Sequence, residues 1–284
     1  MDPFNLLAFA ISLFVINQAA DAVTDAIGAI AQRKGITRAA LGIVLVATFA
    51  GIPEFLVSMI ASLQGNLEIS WGNIVGSNMA NIGIMVGVAS LFGTMQFRRR
   101  IAVRDGVFLL IITYASTALM LDGVVSRAEG LVLLLMFIPY VINLWDEEKE
   151  IAQKEKREII NEVILELEYL GSFGPKIRTK HHFLALFAGL LFLVLGGYVL
   201  VSSAISIATD LGISEVVIGL TIVALGTSVP DIAAAYSAAK KGLGNLTIAE
   251  IIGANIFSLL ITLGGASVAV PMKINVNTVF TNTL

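Results

Sequence analysis

Apolar runs long enough to cross a bilayer follow one another along most of this 284-residue chain, at about 4–31, 39–63, 70–92, 107–121, 128–145, 183–209, 215–239 and 247–270. A water-soluble fold cannot absorb them. Apolar residues make up 57% of the chain and charged residues only 14%, against roughly 45–50% and about 25% in soluble domains. The solvent for most side chains is therefore lipid, and the fold class expected is an all-α polytopic membrane protein of about eight spans. Met1-Asp2-Pro3 leads directly into the first run with no basic segment before it, so that run reads as a span and not as a cleaved leader. There is no cysteine, which excludes disulfides, and a net charge of −3 without a basic stripe gives no support to nucleic-acid binding.

Between the fifth and sixth runs lies the one long polar segment. Residues 146–180 carry nine acids and seven bases, with Ile151, Ile159, Ile160, Val163, Ile164, Leu167 and Leu170 at helical spacing. This pattern predicts an amphipathic connector over 146–182, closing at a Gly171–Pro175 turn, between a first unit (1–145) and a second (183–284). His181 and His182 sit among basic residues there and read as solvated. Placing Arg33, Lys34 and Arg38 on the cytoplasmic side puts every one of the 18 basic residues inside except Arg127 and Lys273. The N-terminus is then outside and the connector cytoplasmic, in a multi-pass protein of the cell membrane.

The chain also matches itself at a fixed offset of 177 residues. Ala47-Thr48-Phe49-Ala50-Gly51-Ile52-Pro53-Glu54 falls on Ala224-Leu225-Gly226-Thr227-Ser228-Val229-Pro230-Asp231. With no gap, Gly76-Ser77-Asn78-Met79-Ala80-Asn81 falls on Gly253-Ala254-Asn255-Ile256-Phe257-Ser258. The repeat unit contains five spans, an odd number, so the second copy enters the membrane upside down. Two inverted-topology five-helix repeats are expected, the second lacking its last two helices in this chain. Inverted repeats with Gly/Pro-interrupted helices at matching places are a signature of secondary transporters, with the binding site near the midplane.

Pro53 and Pro230 have no N–H, which frees the carbonyls of Phe49 and Gly226. Each proline is followed by an acid, Glu54 or Asp231, deep within an apolar run. A charge there costs roughly 2.5–3.5 kcal/mol on insertion scales, which marks both acids as functional candidates. Brought together they repel and share protons as a pair; a hard divalent cation bound by oxygens removes that penalty. Asn78 and Asn255 either contact such an ion or clamp neighbouring helices. Ser77, Asn81, Thr227, Ser228 and Ser258 are further oxygen candidates, and Asp21 and Asp25 read as interfacial.

On these motifs the chain resembles the cation/calcium exchanger superfamily, prokaryotic sodium/calcium exchangers in particular. Gly226-Thr227-Ser228-Val229-Pro230-Asp231 with Gly253-Ala254-Asn255-Ile256-Phe257 carries the resemblance in the second copy, and Pro53-Glu54 with Gly76-Ser77-Asn78 in the first. The resemblance implies ten helices in two inverted repeats and an antiporter, not an enzyme, trading calcium for sodium or protons by alternating access. It implies no cofactor beyond the transported Ca2+ with Na+ or H+. It makes Glu54 and Asp231 the calcium carboxylates, helped by the carbonyls of Ala50 and Thr227. Around them it places Ala47, Ala224, Ser77, Asn81, Ser228 and Ser258, at sodium sites or a central polar cluster. Ala50-Gly51 stands where the family has a Thr-Ser pair, and Ala254 where it has serine, so hydroxyls associated with sodium are missing.

Two other classes follow from the same residues. A pair of membrane acids could form a protease dyad, but neither Tyr-Asp nor Gly-x-Gly-Asp surrounds them, and one acid is a glutamate. A non-transporting membrane interaction protein would bind no cation. The resemblance also implies motion, with the first and sixth spans, the latter carrying Gly189, Gly196 and Gly197, sliding against the other helices; the sequence itself shows smooth, close-packing faces there.

Overall fold

Within a bilayer the backbone satisfies its polar groups only along its own axis, and the apolar runs are helical in the computed structural model, which describes residues 2–33, 51–93, 99–154, 182–240 and 244–273. In chain order the helices are α1 (Pro3–Arg33), α2 (Ile52–Leu63), α3 (Leu67–Ala80), α4 (Val86–Phe92), α5 (Arg99–Leu119) and α6 (Arg127–Lys154). They are followed by α7 (His182–Leu211), α8 (Glu215–Ile218), α9 (Ala224–Lys240), α10 (Gly244–Phe257) and α11 (Leu263–Ala269). Wide π turns at Asn81–Met85, Gly219–Val223 and Ser258–Thr262 join α3 to α4, α8 to α9 and α10 to α11 into continuous rods. A two-residue ribbon pairs β1 (Val124–Val125) antiparallel with β2 (Met272–Lys273).

The offset found in the sequence recurs in the geometry. Leu67–Ala80, Asn81–Met85 and Val86–Phe92 map residue for residue, 177 positions on, to Gly244–Phe257, Ser258–Thr262 and Leu263–Ala269. The packing is reciprocal too: α2 lies on α11 and the turn 258–262, while its counterpart α9 lies on α4 and the turn 81–85. Such exchange of partners is what an approximate two-fold produces. α1 runs along α7, and α6 covers α11.

Large apolar side chains face outward: Phe4 is 71% exposed, Tyr114 75% and Phe187 67%. Inside, by contrast, lie Glu54, Ser58, Asn73, Ser77, Thr227, Ser228, Asp231 and Asn255. An apolar rim around a polar centre inverts the soluble arrangement and suits a protein in lipid. Five described helical rods have the length and hydropathy to cross a membrane, and α2, at 12 residues, is a shorter apolar helix.

Three sequence expectations need adjustment. The fourth run, placed at 107–121, is a helix from Arg99 to Leu119, and the fifth continues from 145 to Lys154. Hydropathy marks contact with lipid, whereas a helix persists into the polar interface as long as its backbone bonds do. The remainder of the connector, 155–181, lies outside the described residues, as do Ala47 and Ala50. Pro230 does not break its helix: α9 runs through it, and the irregularity lies at least about two turns earlier, in the wide turn at Gly219–Val223. Pro53 instead sits at the first turn of α2, where its missing N–H removes no helical bond.

Candidate cation site

Glycines set how closely the two halves meet. A Cβ at Gly72 would lie 2.8 Å from the Leu220 nitrogen and 2.9 Å from the Gly219 Cα, and one at Gly219 would lie 2.8 Å from the Ile69 oxygen. At Gly76 a Cβ would collide with the Leu220 carbonyl. α3 therefore crosses the 219–223 turn backbone to backbone, which brings the polar face of α3 against the start of α9.

That crossing assembles a buried network spanning both copies. Thr227 Oγ1 donates to Asn73 Oδ1 at 3.3 Å and to the Ala224 carbonyl at 3.1 Å. Asn73 Nδ2 donates to the Glu54 carbonyl at 3.2 Å and to Ser58 Oγ at 2.9 Å. Ser228 Oγ donates to Glu54 Oε1 at 3.3 Å. Asp231 stands one helical turn beyond Ser228 on α9. Both side chains are buried, Glu54 at 3% exposure and Asp231 at 2%. The matched acids of the two copies thus occupy one polar interior.

Their local settings differ. Glu54 lies in the first turn of α2, where the exposed N–H groups favour an anion. Asp231 lies in the interior of α9, beyond the reach of that effect. The carbonyl that Pro230 frees, Gly226, faces Asn17 Nδ2 of α1 at 3.5 Å, which ties α1 to this region.

Several buried oxygens of the candidate residues have no hydrogen-bond partner among the described residues: Glu54 Oε2, Ser77 Oγ, Asn81 Oδ1 and Asn255 Oδ1. An unsatisfied buried oxygen costs roughly 1–3 kcal/mol, so each of these is open to a further polar partner. Among the described residues no three acids, histidines or cysteines converge. The set is two carboxylates plus neutral oxygens, suited to a hard cation held and then released.

The other candidates divide. Asn78 Nδ2 donates to the Ile74 carbonyl at 2.8 Å and to Ser258 Oγ at 2.9 Å, and Asn255 Nδ2 to the Ile251 carbonyl at 2.7 Å. Each amide thus bonds its own helix four residues back, and Asn78 also clamps α3 to the 258–262 turn. Ser258 is held there by Asn78 and in turn donates to the Ile74 carbonyl at 3.4 Å. Asn73 is the residue that sequence reasoning passed over, together with Ser58, Ser62 and Ser70. Its signal was present as the i, i+4, i+8 stripe Asn73–Ser77–Asn81, which places three polar residues on one helical face.

A helical protein with an apolar exterior and two buried acids, Glu54 and Asp231, in a polar interior has the general character of a membrane transporter. A profile of the family described as sodium/calcium exchanger protein matches residues 4–145 and 181–284, and the chain belongs to that family. It is 30% identical over 261 residues to the putative antiporter CaxA of Alkalimonas amylolytica, covering 92% of this chain and 79% of that protein. It is 27% identical to the sodium/calcium exchanger MaX1 of Methanosarcina acetivorans, covering 95% and 84%. A solved structure of the sodium-calcium exchanger NCX_Mj, soaked with 2.5 mM Na+ and 1 mM Sr2+, superposes with a TM-score of 0.58 at 25% identity, over 97% of this chain and 85% of that one. The protein is therefore a multi-pass cation/Ca2+ antiporter, a transporter and not an enzyme.

Proposed function

We propose that the chain exchanges Ca2+ for Na+ by alternating access, with Ca2+ held between Glu54 and Asp231. The observation that carries this reading is the Ser228 hydroxyl of the second copy bonded to the Glu54 carboxylate of the first. It brings together two acids that lie 177 residues apart in the chain. A divalent cation neutralises both at once, whereas leaving them paired and bare in a dry interior is costly. Ser77, Asn81 and Thr227 supply neutral oxygens, and the resemblance adds the carbonyls of Ala50 and Thr227, with Ala47 and Ala224 at positions around the sodium sites or the polar cluster.

A specific observation favours keeping H+ as the alternative counter-ion. Ala50, Gly51 and Ala254 provide no hydroxyl, which thins out the ligands a sodium ion would use. One assay separates the two: 45Ca2+ uptake into proteoliposomes driven by a Na+ gradient or by a pH gradient. Uptake driven by Na+ and abolished by Glu54→Gln and by Asp231→Asn is the expected result. Uptake that persists unchanged in both variants would reject the site.

For the motion, the α1–α7 pair is the natural moving element. Gly189 and Gly196 of α7 admit Val23 and Ile16 of α1 closely, while the pair touches the site region through Gly197 against Ile60 and through Leu13 and Asn17 against Gly226. We place the N-terminus outside and the 146–182 connector in the cytoplasm, on the distribution of basic residues, with the two copies inverted across the membrane.

A further inference from the structure

Ser228, three residues before Asp231, carries its hydroxyl across to the acid of the other copy, donating to Glu54 Oε1 at 3.3 Å. The offset of 177 puts Gly51, three residues before Glu54, at the matched position. Exchanging the two copies would ask residue 51 for the reciprocal bond to Asp231, and the helices α2 and α9 do touch. Glycine has no side chain with which to return it.

Backbone conformation does not impose that glycine. Gly51 has φ −77° and ψ 4°, a negative-φ conformation that side chains adopt in ordinary turns. It also caps the start of α2, where serine, asparagine and aspartate are favoured because a side-chain oxygen meets the free N–H groups of the first turn. A hydroxyl at 51 would therefore suit the helix. What forbids it is a ring: a Cβ at Gly51 would lie 2.6 Å from Phe257 Cε1 and 3.2 Å from its Cγ, and closer still to Cδ1.

Phe257 is buried, and its ring is held in place. Phe137 of α6 meets it edge-on, with ring centres 6.1 Å apart and planes at 82°. Phe137 in turn lies 5.9 Å from Tyr140, which stacks on Phe108 of α5 at 5.5 Å. Rings from α5 and α6 thus back Phe257 against the start of α2. The first copy has Ala80, also buried, at the position matched to Phe257. One copy therefore combines a hydroxyl with a methyl, Ser228 and Ala80, and the other combines no side chain with a ring, Gly51 and Phe257. Side-chain volume has moved from one helix to its neighbour, as close packing allows. The chemistry has changed with it, because a hard cation exchanges its water for oxygens and a hydrocarbon ring offers none.

We propose that Phe257 is a specificity-determining residue: beside Gly51 its ring takes the place of a ligating hydroxyl, which closes the first copy's side of the site to Na+ while Glu54 and Asp231 still take Ca2+. Monovalent metal ions are then confined to the side of Ser228. This rests on the antiport reading.

The test is displacement of bound 45Ca2+ by Na+, at fixed pH, from the purified full-length protein. Wild type is compared with Gly51→Ser/Phe257→Ala, which gives the first copy the residue pair of the second. Phe257→Ser places a hydroxyl in the vacated room from the other helix, and Gly51→Ala/Phe257→Ala is the methyl control. In both serine variants the slope of the displacement curve should rise by about one, since one more Na+ binds for each Ca2+ released. The methyl control should keep the wild-type slope. A ring that serves packing alone would shift midpoints and melting temperatures in all three variants and leave every slope unchanged. A serine variant that binds Ca2+ with the wild-type slope overturns the proposal, as does a methyl control that gains slope. Loss of Ca2+ binding in both serine variants overturns it too, because the ring would then belong to the frame of the calcium site. Wild type that binds no Ca2+, or Glu54→Gln that binds it normally, instead overturns the antiport reading beneath the proposal.

Discussion

Replacing Asn73 by alanine removes three buried hydrogen bonds at once: those to the Glu54 carbonyl, to Ser58 and from Thr227. Side-chain hydrogen bonds between membrane helices average about 0.6 kcal/mol each, so the variant should lose about 2 kcal/mol. The loss is softened because Thr227 retains the Ala224 carbonyl and Ser58 the Ser70 carbonyl as acceptors. The remaining effect falls on the join between α2, α3 and α9, the helices that carry Glu54 and Asp231. We expect the Ca2+ concentration for half-maximal uptake to rise about tenfold, equivalent to about 1.4 kcal/mol of binding free energy. The assay is 45Ca2+ uptake into proteoliposomes against external Ca2+, with Ser62→Ala as control. Ser62 is equally buried and donates to Ser70 Oγ at 2.9 Å, a bond between α2 and α3 that involves neither Glu54 nor Thr227. That control should leave half-saturation within about twofold while losing about 0.6 kcal/mol of stability. If Asn73→Ala and Ser62→Ala leave half-saturation equally unchanged, Asn73 is helix glue and the positioning argument fails.

Gly72→Ala should destabilise the protein by about 1–3 kcal/mol, because its methyl would press on the backbone of Val216, Gly219 and Leu220. A melting temperature in detergent equal to wild type would show that the two halves cross less tightly than described. Joining Gly197→Cys to Ile60→Cys with a short thiol crosslinker should stop exchange while leaving Ca2+ binding intact, since it ties α7 to α2; full exchange after complete crosslinking would exclude sliding of α7 on that helix. Because the chain has no cysteine, single-cysteine labelling reads its orientation cleanly. Asp2→Cys should react with an impermeant maleimide on intact cells, and Glu150→Cys only after permeabilisation; the reverse pattern would invert the topology.

The sequence alone determined that this chain is a helical membrane protein, that it contains matched segments 177 residues apart, and that Glu54 and Asp231 are acids set deep in apolar runs. Those features are local or periodic: hydropathy, an offset, and the high cost of a charge in lipid, each readable without knowing where any helix goes. The helical stretches that reach Arg99 and Lys154 were less legible, because hydropathy reports contact with lipid and not how far backbone bonding continues. The uninterrupted course of α9 through Pro230 was hidden for a related reason: a proline states which bond is lost, and only the neighbouring Asn17 shows how the freed carbonyl is met. Tertiary structure alone decided that Asn73 joins Glu54 to Thr227 and that Asn78 spends its amide on clamping helices. Contacts between residues more than 150 positions apart depend on how closely backbones approach at Gly72, Gly76 and Gly219, and that distance is a property of the packed helices together.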